Sequence, residues 1–336
     1  MKNRRIAFLI AGLIFIGLPI YFCAEIYFFA NNPADQADSQ QIIFKISSGQ
    51  NFNKIADDLF HKKIINSQIK FKLIAKIKKS DRKIIAGEYE LSKNMTPLAI
   101  LKRLTDGSVR LHRLSIPEGF NISQIAESVA AAGFCDQKSF IRAAIDKEFV
   151  EKMKISATTF EGFLFPDTYY FSKDVSPKQI IAAMVARFHE TLLPEWEIKA
   201  QEMGFSVLEI VTLASIIEKE TGSASERPII SSVFHNRLKR RMRLASDPTV
   251  IYGIKDFNGN ITKKDLNTYT PYNTYMIVGL PPGPIANPGS ESIKAALYPT
   301  KTNYLYFVAK RDKTHYFSST LAEHNRAVRK YQLRRR

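Results

Sequence analysis

Cysteine is nearly absent from this 336-residue sequence, which holds only Cys23 and Cys135, along with a single tryptophan. Cys23 lies inside an apolar run, so a bridge between the two is not expected; neither a disulfide framework nor a cysteine metal site is available. There is no glycine-rich phosphate loop and no His-Glu-x-x-His helix. His61, His112, His189, His235, His315 and His324 stand isolated from one another in sequence. No metal and no cofactor is therefore expected. Ser215 and Ser231 lack the elbow motif that exposes a nucleophilic serine. Acidic residues are the scarcer charge, 32 against 49 Lys and Arg, giving a net charge of +17. The basic residues are scattered (62–63, 76–79, 239–243, 334–336) and match no nucleic-acid-binding motif, so nucleic acid is not the expected partner. Anionic lipid or an anionic polymer such as cell wall accounts for that charge better.

One apolar run stands out. Residues 6–24 carry no charge and follow Lys2, Arg4 and Arg5. Nineteen helical residues nearly match a hydrocarbon core of roughly 30 Å. The run exceeds a signal-peptide core, and Tyr21-Phe22-Cys23 puts bulky residues where a cleavage site wants small ones. We therefore read residues 1–5 as a cytoplasmic tail, 6–29 as a transmembrane anchor and 30–41 as a tether, with the rest outside the cytoplasm.

The middle of the chain repeats itself. Gly49-Gln50-Asn51-Phe52-Asn53-Lys54-Ile55-Ala56 resembles Gly119-Phe120-Asn121-Ile122-Ser123-Gln124-Ile125-Ala126 at an offset of 70. Tyr89-Glu90-Leu91-Ser92-Lys93 resembles Tyr169-Tyr170-Phe171-Ser172-Lys173 at an offset of 80, so the second copy carries an insertion of ten residues. Each copy reads as strand, turn, two helices, strand, helix. Asn53 and Ser123 are the expected helix caps, and Thr96-Pro97 and Ser176-Pro177 pair a cap with a first-turn proline. The first copy, residues 42–110, resembles a LysM-type glycan-binding module; it could equally be a spacer. The second copy spans 111–190.

Ser206-Val207-Leu208-Glu209 is a capping box ahead of an apolar helix. At 100° per residue, Glu209, Thr212, Ser215, Lys219 and Glu220 fall on the wet side. Glu218 falls among Ala214 and Val211. A carboxylate there is desolvated, and burial raises its pKa, as a general acid needs. Ser223 to Glu226 reads as a second capping box. Asn236, an unfavourable residue inside a helix, is expected either to bind a sugar hydroxyl or to satisfy buried backbone. The loop containing Tyr269, Tyr272, Asn273 and Tyr275 is dense in aromatic rings and amides, which suits carbohydrate.

Taken together these motifs resemble the YceG-like endolytic murein transglycosylases. The resemblance rests on Leu213-Ala214-Ser215-Ile216-Ile217-Glu218-Lys219-Glu220-Thr221, Ser225-Glu226-Arg227, Val233-Phe234-His235-Asn236-Arg237-Leu238, and Asp247-Pro248-Thr249-Val250-Ile251-Tyr252-Gly253. It extends to Tyr272-Asn273-Thr274-Tyr275, Gly279-Leu280-Pro281-Pro282-Gly283, and upstream to Glu161-Gly162-Phe163-Leu164-Phe165-Pro166-Asp167. It implies an α+β fold: a transmembrane helix, a small LysM-like α/β module and a mixed catalytic domain with its core at 191–336. It further implies Glu218 as the catalytic acid, with Glu161, Asn236, Asp247, Thr249, Tyr252, Asn273 and Tyr275 toward the substrate. The implied partners are peptidoglycan glycan strands and, by association, the wall-synthesis machinery; the implied location is the cytoplasmic membrane. A two-carboxylate wall hydrolase using Glu161 or Asp247, and a non-catalytic wall-binding protein, are the alternatives.

Overall fold

A computed structural model describes residues 2–333 except 222, 256 and 313, with side chains from residue 15 onward. The fold is mixed α+β, and the chain divides into two compact units. One unit comprises the chain up to His112 together with Tyr170–Val175; the other comprises Arg113–Tyr169 and the chain from Ser176 onward.

The first unit begins with helix α1 (Lys2–Asn31). Among the described residues no single helix is long and apolar enough to cross a membrane; Phe15–Asn31 is a shorter apolar stretch. The side chains of residues 6–14 of the expected anchor lie outside the described set. Strand β1 (Ile42–Ile46), helices α2 (Phe52–His61) and α3 (Gln68–Ile77), strand β2 (Gly87–Leu91) and helix α4 (Pro97–Asp106) follow. β1 and β2 pair antiparallel, with Ile42 opposite Leu91 and Phe44 opposite Tyr89. Alternation along β1 puts Phe44 and Ile46 into a core with Ile55, Leu59, Phe71, Tyr89 and Leu104.

The second copy repeats the plan with β3 (His112–Ser115), α5 (Ile122–Ala131), α6 (Gln137–Ala144), the additional α7 (Lys147–Lys152), β4 (Thr168–Phe171) and α8 (Pro177–Thr191). β3 pairs with β4. The copies agree in detail. Gly49 and Gly119 sit at φ 76° and 75°, a left-handed turn open to glycine. Tyr89 and Tyr169 each donate their hydroxyl to the carbonyl four residues back, at 2.6 Å. The caps of α2 and α5 are Asn51 and Asn121, two residues earlier than the expected Asn53 and Ser123. Thr96 and Ser176 cap their helices as expected, each with proline in the first turn.

The C-terminal elements are α9 (Pro194–Glu202), α10 (Val207–Glu220), α11 (Arg227–Lys239), α12 (Asp247–Gly253), α13 (Lys263–Asn267) and α14 (Ser290–Leu297). The chain then forms the hairpin β5 (Tyr306–Ala309) and β6 (His315–Ser318), helix α15 (Leu321–Val328) and a π-helical turn (Arg329–Leu333). The capping boxes at Ser206 and Thr320 are present. That at Ser223 is not: α11 starts from Glu226 with no side-chain cap, because Glu226 takes the His315 backbone N–H and ring Nδ1 at 2.9 and 2.7 Å. α10 is the hub, packed by α9, α11, α12 and α14. Its residues 210–217 are all buried, so the helix has no wet face through its middle. Thr212 and Ser215, expected on a solvated side, instead return their hydroxyls to carbonyls within the helix.

Candidate active site

Glu218 lies in the last turn of α10, its side chain only 7 % exposed. Burial alone would leave a carboxylate unsatisfied. Two donors prevent that. Arg227 Nη2 lies 3.3 Å from Oε1, and the backbone N–H of Gly289 donates to Oε2 at 3.1 Å. Arg227 is the first residue of α11 and Gly289 caps α14, so two helix starts converge on the end of a third. Such helix starts carry positive partial charge and suit an anionic group.

A second carboxyl stands at the same place. Glu118 Oε2 is 3.6 Å from the same Arg227 nitrogen, and its side chain is half exposed. Burial first, and then the nearby Glu218 charge, push the Glu118 pKa up, while Arg227 opposes them. Glu118 belongs to the turn joining β3 to α5. That turn is pinned by Gly119 N–H to the Asn287 carbonyl (2.9 Å), Asn287 N–H to the Phe120 carbonyl (2.8 Å) and Lys219 Nζ to the Gly119 carbonyl (3.2 Å). Glu118, Arg227 and Gly289 were not among the expected site residues. A signal for Glu118 does exist in the sequence: at the 70-residue offset the first copy has Ser48 where the second has Glu118, a charge gained inside an otherwise matching motif.

The other expected residues are held in further networks, one of which shares Asn287 with the turn that carries Glu118. Glu161 is 5 % exposed and takes the Ile122 N–H at the start of α5 (3.2 Å to each oxygen), the Tyr252 hydroxyl (3.1 Å) and Asn287 Nδ2 (2.9 Å). Burial pushes its pKa up to about 7 against those donors. Tyr252 leans on Tyr272, ring centroids 4.8 Å apart. Asp247 accepts from the Tyr275 hydroxyl at 2.6 Å. Thr249 is buried, bonded to Thr274 and the Ser246 carbonyl. Asn273 is buried, donating Nδ2 to the carbonyls of Asp265, Leu266 and Thr268 and accepting from Tyr275 N–H. Asn236 donates Nδ2 to the carbonyls of Thr302 and Tyr304, each at 2.9 Å.

Glu220 departs from its expected place on a wet face. Its carboxyl accepts from Ser246 Oγ, and burial, the largest cause, pushes its pKa up to about 7. Among the described residues no group of three or more His, Cys, Asp or Glu is arranged to hold a metal.

The YceG-like family matches residues 44–330. An endolytic murein transglycosylase of Bacillus subtilis (strain 168) is 36 % identical, the match covering 89 % of this chain and 87 % of that protein. The enzyme of the same description from Streptococcus pneumoniae serotype 2 (strain D39) is 31 % identical over 96 % of this chain, which spans 64 % of that longer protein. The 2.6 Å crystal structure of a YceG-like protein from Listeria monocytogenes superposes with a TM-score of 0.60 at 37 % identity, over 86 % of this chain and 99 % of that one. On this match over most of its length, and with Glu218 seated where three helix ends meet, the chain belongs to the YceG-like family.

Proposed function

We propose that this chain is an endolytic lytic transglycosylase of peptidoglycan, a lyase that cuts the bond between N-acetylmuramic acid and N-acetylglucosamine within glycan strands. The observation that carries the reading is Glu218, the carboxyl of the family motif, held by Arg227 and the Gly289 amide at the meeting of three helix ends. In its protonated form Glu218 gives its proton to the glycosidic oxygen as the C1–O bond breaks. The carboxylate so formed takes the proton of the muramyl 6-hydroxyl while that oxygen bonds to C1. The proton count closes, no water is consumed, and the product is a 1,6-anhydro end. One carboxyl serves both steps, unlike the two-carboxylate glycosidase pattern.

Glu161, Thr249, Asn236 and Asn273 spend their polar atoms inside the protein, so we assign them to the scaffold. Asp247, Tyr252 and Tyr275 remain the proposed saccharide contacts. The hydrolase alternative gains one specific support, since Glu118 places a second carboxyl beside Glu218. The β-α-α-β order of β1, α2, α3 and β2 supports a LysM-like reading of residues 42–110. The exposed Phe15, Leu18, Ile20, Tyr21 and Phe28 of α1 support a membrane anchor at the cytoplasmic membrane; wall-synthesis proteins as neighbours follow from the family resemblance alone.

Digestion of isolated glycan strands by the full-length protein in detergent, read by mass spectrometry, tests the reaction. Anhydro ends, lighter by one water than reducing ends, are the expected product. Reducing ends would mean hydrolysis, and uncut strands would mean a binding protein. Glu218→Gln is expected to slow cutting by roughly 10²–10⁴-fold at unchanged melting temperature, the contribution typical of a general acid.

A further inference from the structure

The first unit carries a second apolar stripe that its own core does not use. Within α3, Phe71, Ile74 and Ala75 are buried, but Ile69 and Ile77, with Leu73 between them at four-residue spacing, point away; Ile69 is 74 % exposed and Ile77 64 %. An exposed apolar stripe on one helix face marks a surface made to be covered.

Its position relative to α1 says by what. A groove of ~430 Å3 runs between the helices, bordered by α1 from Phe22 to Asn31, by α3 from Leu73 to Lys78 and by Leu98 of α4. Higher up, Lys70 Nζ pairs with Glu25 at 2.8 Å and lies 5.9 Å from the centre of the Phe29 ring. Lysines gather at the C-terminal end of α3, at positions 76, 78 and 79, while Lys70 near its start is held by Glu25. Phe22 itself is 54 % exposed, so the two apolar surfaces are continuous. Around Ile77 the exposed side chains are Lys76, Lys78 and Lys79. A bulky apolar residue ringed by lysines, beside an apolar helix, is the composition of an interfacial lipid contact, with stems in the acyl boundary and ammonium groups among phosphates.

The geometry points to α3 as a lipid-seated foot: its C-terminal end, Ile77 with Lys76, Lys78 and Lys79, dips into the outer headgroup layer of an anionic bilayer beside the anchor, while Ile69 stays shallower. This rests on the anchor reading of α1.

Depth-dependent fluorescence tests it in the full-length chain, with Trp196 replaced by phenylalanine and single tryptophans placed by Phe15→Trp, Ile69→Trp or Ile77→Trp. All three sites are exposed; Trp196 is buried, so an unchanged melting temperature of the Trp196→Phe parent is the control. The protein is put into nanodiscs of zwitterionic or anionic phospholipid containing brominated acyl chains. Quenching and a blue shift are expected at position 77, stronger in the anionic discs, with less quenching at 69 and the most at 15. A tryptophan at 77 that emits as in water in anionic discs, while the one at 15 is quenched, overturns the lipid foot and leaves the anchor standing. A tryptophan at 15 that is unquenched overturns the anchor reading beneath it. Equal quenching at 69 and 77 overturns the assigned tilt.

Discussion

Gly289 has φ −76°, a value open to any residue, so an alanine there is opposed by space alone. Its Cβ would collide with the Glu118 carboxyl. Either Glu118 leaves Arg227 or the start of α14 shifts and takes its amide away from Glu218. Gly289→Ala is expected to cut glycan about 10²-fold more slowly, the cost of a displacement near 1 Å at a reacting group. Its melting temperature should stay close to that of the parent protein. A steep fall in stability instead would show Gly289 to be a structural glycine. Glu161 and Glu220 act differently, through protons. Each has a folded pKa near 7 against an ordinary value of 4.5, so the folded chain holds protons that the unfolded chain has lost. Their contribution is full below about pH 4.5 and disappears as pH rises through about 7. Unfolding free energy should therefore fall between pH 5 and pH 8, by an amount on the order of 3 kcal/mol per group, and the melting temperature with it. Glu161→Gln should flatten that slope, and thermal melts at both pH values read it directly. An unchanged slope would remove Glu161 from the account.

At the scale of the element, Asn273 acts as a staple for the segment after α13. Its amide fills three carbonyls at once, and Asn273→Ala leaves all three without that donor in a buried place. A loss of about 1–3 kcal/mol is expected, read by denaturant unfolding. Local signals of this kind explain what was legible in the sequence. The box at Ser206 and the Thr96-Pro97 and Ser176-Pro177 starts depend on residues three or four apart, and all hold. The box at Ser223 fails because Glu226 finds His315, 89 residues on, and no local pattern encodes that partner. Glu220 misleads for a related reason. A helical wheel assumes one wet face, but α10 has neighbours on every side, and Ser246 closes over the position that the wheel marks as open.

At the scale of the molecule, the duplication was legible because two copies of one pattern confirm each other, down to matching left-handed glycines and tyrosine hydroxyls. Glu218, the proposed acid, was singled out through its motif. Glu118 left only a trace, the charge gained at the position of Ser48 in the first copy, since a turn a hundred residues upstream reaches Glu218 only in three dimensions. The same turn sets a rule for anyone shortening the gene. Asn287 donates Nδ2 to the Phe120 carbonyl and to Glu161, and its Oδ1 accepts the Leu164 amide. A fragment started at residue 191 would keep Glu218, Arg227 and Gly289 yet strip Asn287 of every one of those partners and delete Glu118. Cloning boundaries for a self-sufficient catalytic fragment therefore belong upstream of Arg113, and a shorter clone would be expected to yield insoluble protein with an unfinished cleft.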